Sequence, residues 1–202
     1  MGIESVKGKL LIITGPSGAG KDAAAKLFQE RNRDFGFIVT CTSRGRRPGE
    51  VDEVDYKFFD LETFLRKKSN GEFAEVCEYR PNEWKGTLRE DVRRVCESNL
   101  IWRVDPSMAG RAKAFFYEIG LGEIVPRVRT AYIGIESRRS LHDRKQKRDG
   151  TGFDEVKFKQ NLKKDYTTWR EYKDCYDRVI VNRYGMLEET VLELEQLVCN
   201  IL

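Results

Sequence analysis

The sequence predicts an α/β fold: a parallel sheet flanked by helices, carrying a glycine-rich phosphate-type loop, an inserted lobe and a short lid. Strand-like runs at 10–14, 37–41, 73–77, 99–104, 130–135 and 178–182 alternate with helix-like stretches. Those fall at about 21–33, 60–69, 88–98, 107–119, 137–147, 155–172 and 187–201. Such alternation builds a parallel sheet with helices on both faces. The segment from about 42 to 96 departs from it, with breakers at Pro48-Gly49, Asn70-Gly71 and Arg80-Pro81-Asn82, and reads as an insertion.

In order along the chain, Leu10–Thr14 (LLIIT) is an apolar run suited to a buried strand. Gly15, Pro16, Ser17, Gly18, Ala19, Gly20, Lys21 and Asp22 follow it and open a helix. They match G-x-x-x-x-G-K-[ST] except at the last position, where Asp22 replaces a hydroxyl. The pattern works because glycines let successive backbone N–H groups curl round phosphate oxygens, Lys reaches the terminal phosphates and the hydroxyl holds Mg²⁺. Between a strand and a helix the loop is expected to take a nucleoside triphosphate. Arg44 and Arg47, three apart in a Gly/Pro-bounded loop, precede Asp55 and Tyr56. Two guanidinium forks and a hydroxyl suit a dianionic phosphate. Glu50, Asp52, Glu53 and Asp55 crowd the same loop, so self-pairing is the competing expectation.

Further on, Arg138–Arg148 holds six basic residues against the single acid Asp143, and Gly150-Thr-Gly152 breaks the chain after it. Arg144 and Arg148, four apart, share one helix face and suit phosphate binding, the alternative being a solvated basic face. No aromatics interleave with these charges, which argues against a nucleic-acid surface.

Composition narrows the function classes. A net charge of +4 with 35% charged and 40% hydrophobic residues describes a globular chain. No apolar run has the length of a membrane span and Met1–Lys7 lacks a leader core, so a cytoplasmic protein is expected. Cys41, Cys77, Cys96, Cys175 and Cys199 are scattered and odd in number, and are expected to be reduced packing residues. His142 is the single histidine. It excludes a His-rich metal site and is expected on the surface.

Taken together the motifs resemble the guanylate kinase family over nearly the whole chain. The resemblance runs through Gly15–Asp22, Thr42–Phe58 with Arg44, Arg47, Asp55 and Tyr56, Glu72–Glu75, Gly86-Thr87, Val104-Asp105, the basic stretch, and Tyr176–Asn182. It implies ATP and GMP as substrates, Mg²⁺ with ATP, and a monomer or homodimer. Arg44, Arg47 and Tyr56 would hold the GMP phosphate. Glu75 and Asp105 would accept from guanine N1–H and the 2-amino group, with Thr40 and Thr87 on its other edge. Lys21, Arg144 and Arg148 would act on the transferring phosphoryl group, and Asn182 would contact adenine. The implied division is a core at about 1–41, 97–136 and 166–202, a GMP-binding lobe at about 42–96 and a lid at about 137–165.

Four positions depart from the family pattern. Asp22 replaces Ser/Thr, Arg103 replaces an Asp, and Lys85 replaces a Tyr that helps bind the GMP phosphate. The Arg expected after the lid falls at Lys159 or Gln160. Asp22 is a possible Mg²⁺ ligand; alternatively it pairs with Arg103. Lys85 is expected to supply the missing phosphate contact as a point charge. Rival functions are a kinase of another phosphorylated small molecule, of ribose bisphosphate type, and a nucleotide- or phosphopeptide-binding module with little turnover. The first has no use for Glu75 and Asp105 together, a phosphopeptide-binding module typically lacks an intact loop with Lys21, and a nucleotide binder with feeble turnover is the rival that Asp22 and Arg103 motivate.

Overall fold

The protein structure, a computed structural model, describes residues 7–201. The ends of the expected core and the reading of residues 1–6 as free of a leader lie outside them. The central sheet contains β1 (Leu10–Thr14), β2 (Phe35–Phe37), β7 (Asn99–Arg103), β8 (Val128–Gly134) and β9 (Arg178–Val181). Its order is β2-β7-β1-β8-β9, and every pairing is parallel.

Successive residues of β1 point to opposite faces. Leu10 and Ile12 join Leu100, Trp102 and Val128 under α4 (Pro106–Glu118). Leu11 and Ile13 join Ile101, Ala131 and Ile133 under α1 (Lys21–Arg31) and α7 (Leu187–Cys199). Burial on both faces is why this strand reads as an unbroken apolar run. Each fully buried Leu or Ile here contributes about 1.5–3 kcal/mol relative to an exposed one.

A second sheet, ordered β4-β3-β6-β5, contains β3 (Cys41–Thr42), β4 (Lys57–Phe58), β5 (Phe73–Arg80) and β6 (Glu83–Leu88). It packs on α2 (Leu61–Ser69) through a small core of Cys41, Phe64, Phe73 and Leu88, with Phe64 and Phe73 stacked at 4.5 Å. The strand expected at 37–41 is therefore two strands in different sheets. The helix expected at 88–98 is a short α3 (Arg89–Arg93) followed by a 3₁₀ turn. The basic stretch forms α5 (Arg138–Asp149), a turn at 150–152, and then α6 (Glu155–Tyr172).

Cys41 is buried and Cys96 packs half-buried against the core under α4, whereas Cys77, Cys175 and Cys199 are exposed, so the packing expectation holds for two of the five. His142 is half-buried. Its ring bonds Glu155 at 2.8 Å and meets Phe153 and Phe158 edge-on, joining α5 to α6. No helix among the described residues is long and apolar enough to cross a membrane.

Candidate active site

The glycine-rich loop leaves the C-terminal end of the central strand, where ligands bind in open parallel sheets. Gly15 adopts φ +136°, and a Cβ there would lie 2.1 Å from the Ile133 carbonyl oxygen. Gly20 adopts φ +89°, and a Cβ there would lie 2.4 Å from Asn182 Nδ2. Both positions thus need glycine for conformation and for space. Gly20 also precedes α1 without a side-chain cap, which leaves the first-turn N–H groups open to an anion.

Lys21 Nζ donates to the Pro16 carbonyl at 2.9 Å, folding the side chain over the loop. Burial lowers its pKa, opposed chiefly by the nearby Asp22 charge. Asp22 Oδ1 accepts from Arg103 Nη1 at 3.1 Å, so the two unusual residues meet. Asn182 is buried. Its Nδ2 donates to the Ala19 carbonyl at 2.7 Å, and its Oδ1 accepts from Thr190 at 3.2 Å. Arg144 donates to the Asn182 carbonyl at 2.9 Å. Asn182 and Arg144 brace the loop in this arrangement, with the Asn182 amide turned inward.

A cavity of about 480 Å³ opens between the loop and the second sheet. Of the expected acceptor residues it gathers Thr40, Tyr56, Glu75, Lys85 and Asp105, and it adds Lys21, Asp22 and Arg103. Glu75 accepts from Thr87 Oγ1 at 2.8 Å, and Thr87 in turn accepts from Trp102 Nε1 at 3.1 Å. Burial pushes the Glu75 carboxyl up to about 7, partly offset by the Thr87 bond and reinforced by Asp105. Asp105 caps α4, accepting from Ser107 N at 2.9 Å and Met108 N at 3.3 Å. Lys85 Nζ donates to Tyr56 Oη at 3.1 Å and lies 4.9 Å from that ring's centroid.

Thr87, Arg44 and Arg47 do not line this cavity. Thr87 is fully buried and orients Glu75. Arg44 is held by Glu50 through both terminal nitrogens, one at 2.7 Å, so the self-pairing expected of the loop occurs. That pairing holds the Glu50 carboxyl down at about 2.

Arg47 faces a second cavity, of about 440 Å³, with Ser17, Arg80, Lys145, Arg148 and Lys157. Arg148 is paired with Asp149 at 2.7 Å beside it. Of the two positions expected to replace an arginine after the lid, neither lines this cavity. Lys159 is exposed and bonds Glu155 at 3.3 Å, whereas Lys157, also exposed, and Asn161 line the cavity. Lys157, Arg80 and Lys145 are the cations that sequence reasoning did not place at a site, whereas the pairing of Arg103 with Asp22 was expected. The i,i+4 pairing of Lys157 with Asn161 is the signal that points to one α6 face.

The guanylate kinase family model matches residues 7–200. A rice guanylate kinase (guanylate kinase 2, chloroplastic/mitochondrial; Oryza sativa subsp. japonica) is 31% identical over 200 residues, which is 94% of this chain and 63% of that protein. The guanylate kinase of Carboxydothermus hydrogenoformans is 31% identical over 193 residues, 94% of this chain and 86% of that protein. A crystal structure of guanylate kinase from Anaplasma phagocytophilum superposes with a TM-score of 0.65 at 26% identity, covering 96% of this chain and 86% of the other. Motifs, sheet topology and full-length family match agree: the chain belongs to the guanylate kinase family.

Proposed function

We propose that the protein transfers the γ-phosphoryl group of ATP to GMP, giving ADP and GDP. The observation that carries this is the pair Glu75 and Asp105 in one cavity with Lys21 of the phosphate loop. Guanine offers N1–H and a 2-amino group where two carboxylates stand, whereas adenine offers neither and would leave both acids unpaired. The named relatives are guanylate kinases, which supports the same acceptor. The lobe at about 42–96 would bind GMP, the segment at about 137–165 would act as the lid, and the remainder would be the core.

In the reaction a GMP phosphate oxygen attacks the γ-phosphorus in line while the bond from that phosphorus to the β–γ bridging oxygen breaks. The chain's part is positioning and charge. Thr40 and the two acids would orient guanine, with Thr87 fixing Glu75. Tyr56 and Lys85 would hold the acceptor phosphate from inside the cavity, and Arg44 and Arg47 from the adjoining loop. The loop from Gly15 to Lys21 would hold the donor phosphates, with Asn182 bracing it on the adenine side. Arg144 and Arg148 would neutralise charge on the moving group and keep water away.

Mg²⁺ arriving with ATP fits the donor set. Mg²⁺ keeps several waters and takes one or two carboxylates beside substrate phosphates. Asp22 is a highly exposed carboxylate at the loop's end, with one oxygen on Arg103 and the other directed to no partner among the described residues. Asp22 would hold the ion, which supplies charge neutralisation to the phosphates when bound. The test is product analysis by ion-exchange chromatography after incubation with ATP and GMP. Equimolar ADP and GDP are expected, both lost in Lys21→Ala; ADP formation independent of GMP would overturn the proposal.

A further inference from the structure

The cation count at the loop end of the acceptor cavity is the starting point. The cavity's cations are Lys21, Lys85 and Arg103, set against Asp22, Glu50, Asp55, Glu75 and Asp105; at the loop end Lys21 and Asp22 offset each other and Arg103 is the further cation. Its guanidinium carries five N–H donors, and Asp22 is its one hydrogen-bonded side-chain partner among the described residues. The group also lies 5.0 Å from the Phe37 ring centroid. Its backbone ends β7, directly after the fully buried Trp102, so the side chain springs from a fixed point of the central sheet. Groups mounted on rigid elements hold site geometry better than groups on loops.

We infer that Arg103 is a phosphate-contacting residue of the acceptor cavity, and that Asp22 is the positioning residue that holds its fork there. This rests on the reading of the cavity as a GMP site and adds a residue to it. The Asp22 carboxylate, left alone beside a phosphate site, repels the ligand; held against Arg103, it aims a cation. The effect of removing Asp22 therefore depends on whether Arg103 is present.

The test is calorimetric titration of metal-free protein with GMP in EDTA, for wild type, Arg103→Ala, Arg103→Lys, Asp22→Asn and the Arg103→Ala/Asp22→Asn pair, with melting temperatures as a fold control. Arg103→Ala is expected to weaken GMP about tenfold, as loss of a hydrogen bond to a charged group does. Arg103→Lys is expected to recover part of that loss. Asp22→Asn should weaken GMP in the wild-type background and strengthen it in the Arg103→Ala background. Independent losses, or unchanged GMP affinity in a folded Arg103→Ala, would overturn the inference. Failure of the wild type to bind GMP would instead overturn the guanylate kinase reading, so the two failures are distinguishable.

Discussion

Glu75 faces two demands at the residue scale. It must be ionised to accept from guanine, yet burial lifts its pKa to about 7. GMP favours the ionised form, so its affinity should be full above pH 7 and fall as pH drops through 7. Calorimetric titration between pH 5.5 and 8.5 checks this, with proton release on binding in the lower range; a flat profile would contradict it. The same shift acts on stability. A carboxyl whose folded pKa lies above its unfolded value destabilises the fold increasingly from about pH 4.5 to 7 and constantly above that. Glu75→Gln should therefore raise the melting temperature of the free protein at pH 8, by a stability gain on the order of 1 kcal/mol. Unchanged or lower melting would show that the acid is not strained by burial. Gly20→Ala should impair ATP binding through the clash with Asn182, while Gly45→Ala, in open space, should not.

Among the elements, α6 makes the sharpest distinction. Lys157 faces the basic cavity beside Ser17 and Arg148, and Lys159 faces solvent. Lys157→Ala should lower kcat about tenfold, the scale of one charge-assisted contact, and Lys159→Ala should leave it nearly unchanged. Steady-state kinetics with saturating GMP checks the pair, and equal effects would contradict the geometry. Sequence counting did not find Lys157 because the turn at Gly150–Gly152 resets the helical phase between α5 and α6. The inner strands β1, β7 and β8 were readable because burial on both faces writes an apolar run, as in β1, whereas the half-exposed edge strand β2 was placed two residues late. The two-residue strands β3 and β4 carry too few residues to write any pattern, and β6 follows β5 so closely that its charged start looked like loop. Arg44 and Glu50 were readable as partners; which partner Arg44 would take depended on a loop path that only the fold sets.

For the whole molecule, the second cavity is walled by Arg47 and Arg80 from the inserted segment and by Lys145, Arg148 and Lys157 from the α5–α6 region. Asp149 and Asp154 line it as well, so its five cations exceed its acids by three, and an anion between the segments offsets that excess. ATP and GMP should then each stabilise the fold by about 2.7 kcal/mol at a hundredfold excess over its own Kd. Differential scanning calorimetry checks this, and the same melting temperature with and without nucleotides would contradict it.

The most direct measurement is the ratio of kcat/KM for GMP over AMP at pH 8, in wild type and in Glu75→Gln. A site whose buried acceptors match guanine rejects adenine by a factor on the order of 10² or more. The ratio should fall in Glu75→Gln, because an amide there can donate as well as accept. It should also fall in the wild type as pH drops below 7, because a protonated Glu75 can donate to adenine N1. Equal turnover of GMP and AMP by the wild-type protein at pH 8 would contradict the assignment of Glu75 and Asp105 as the guanine-reading pair.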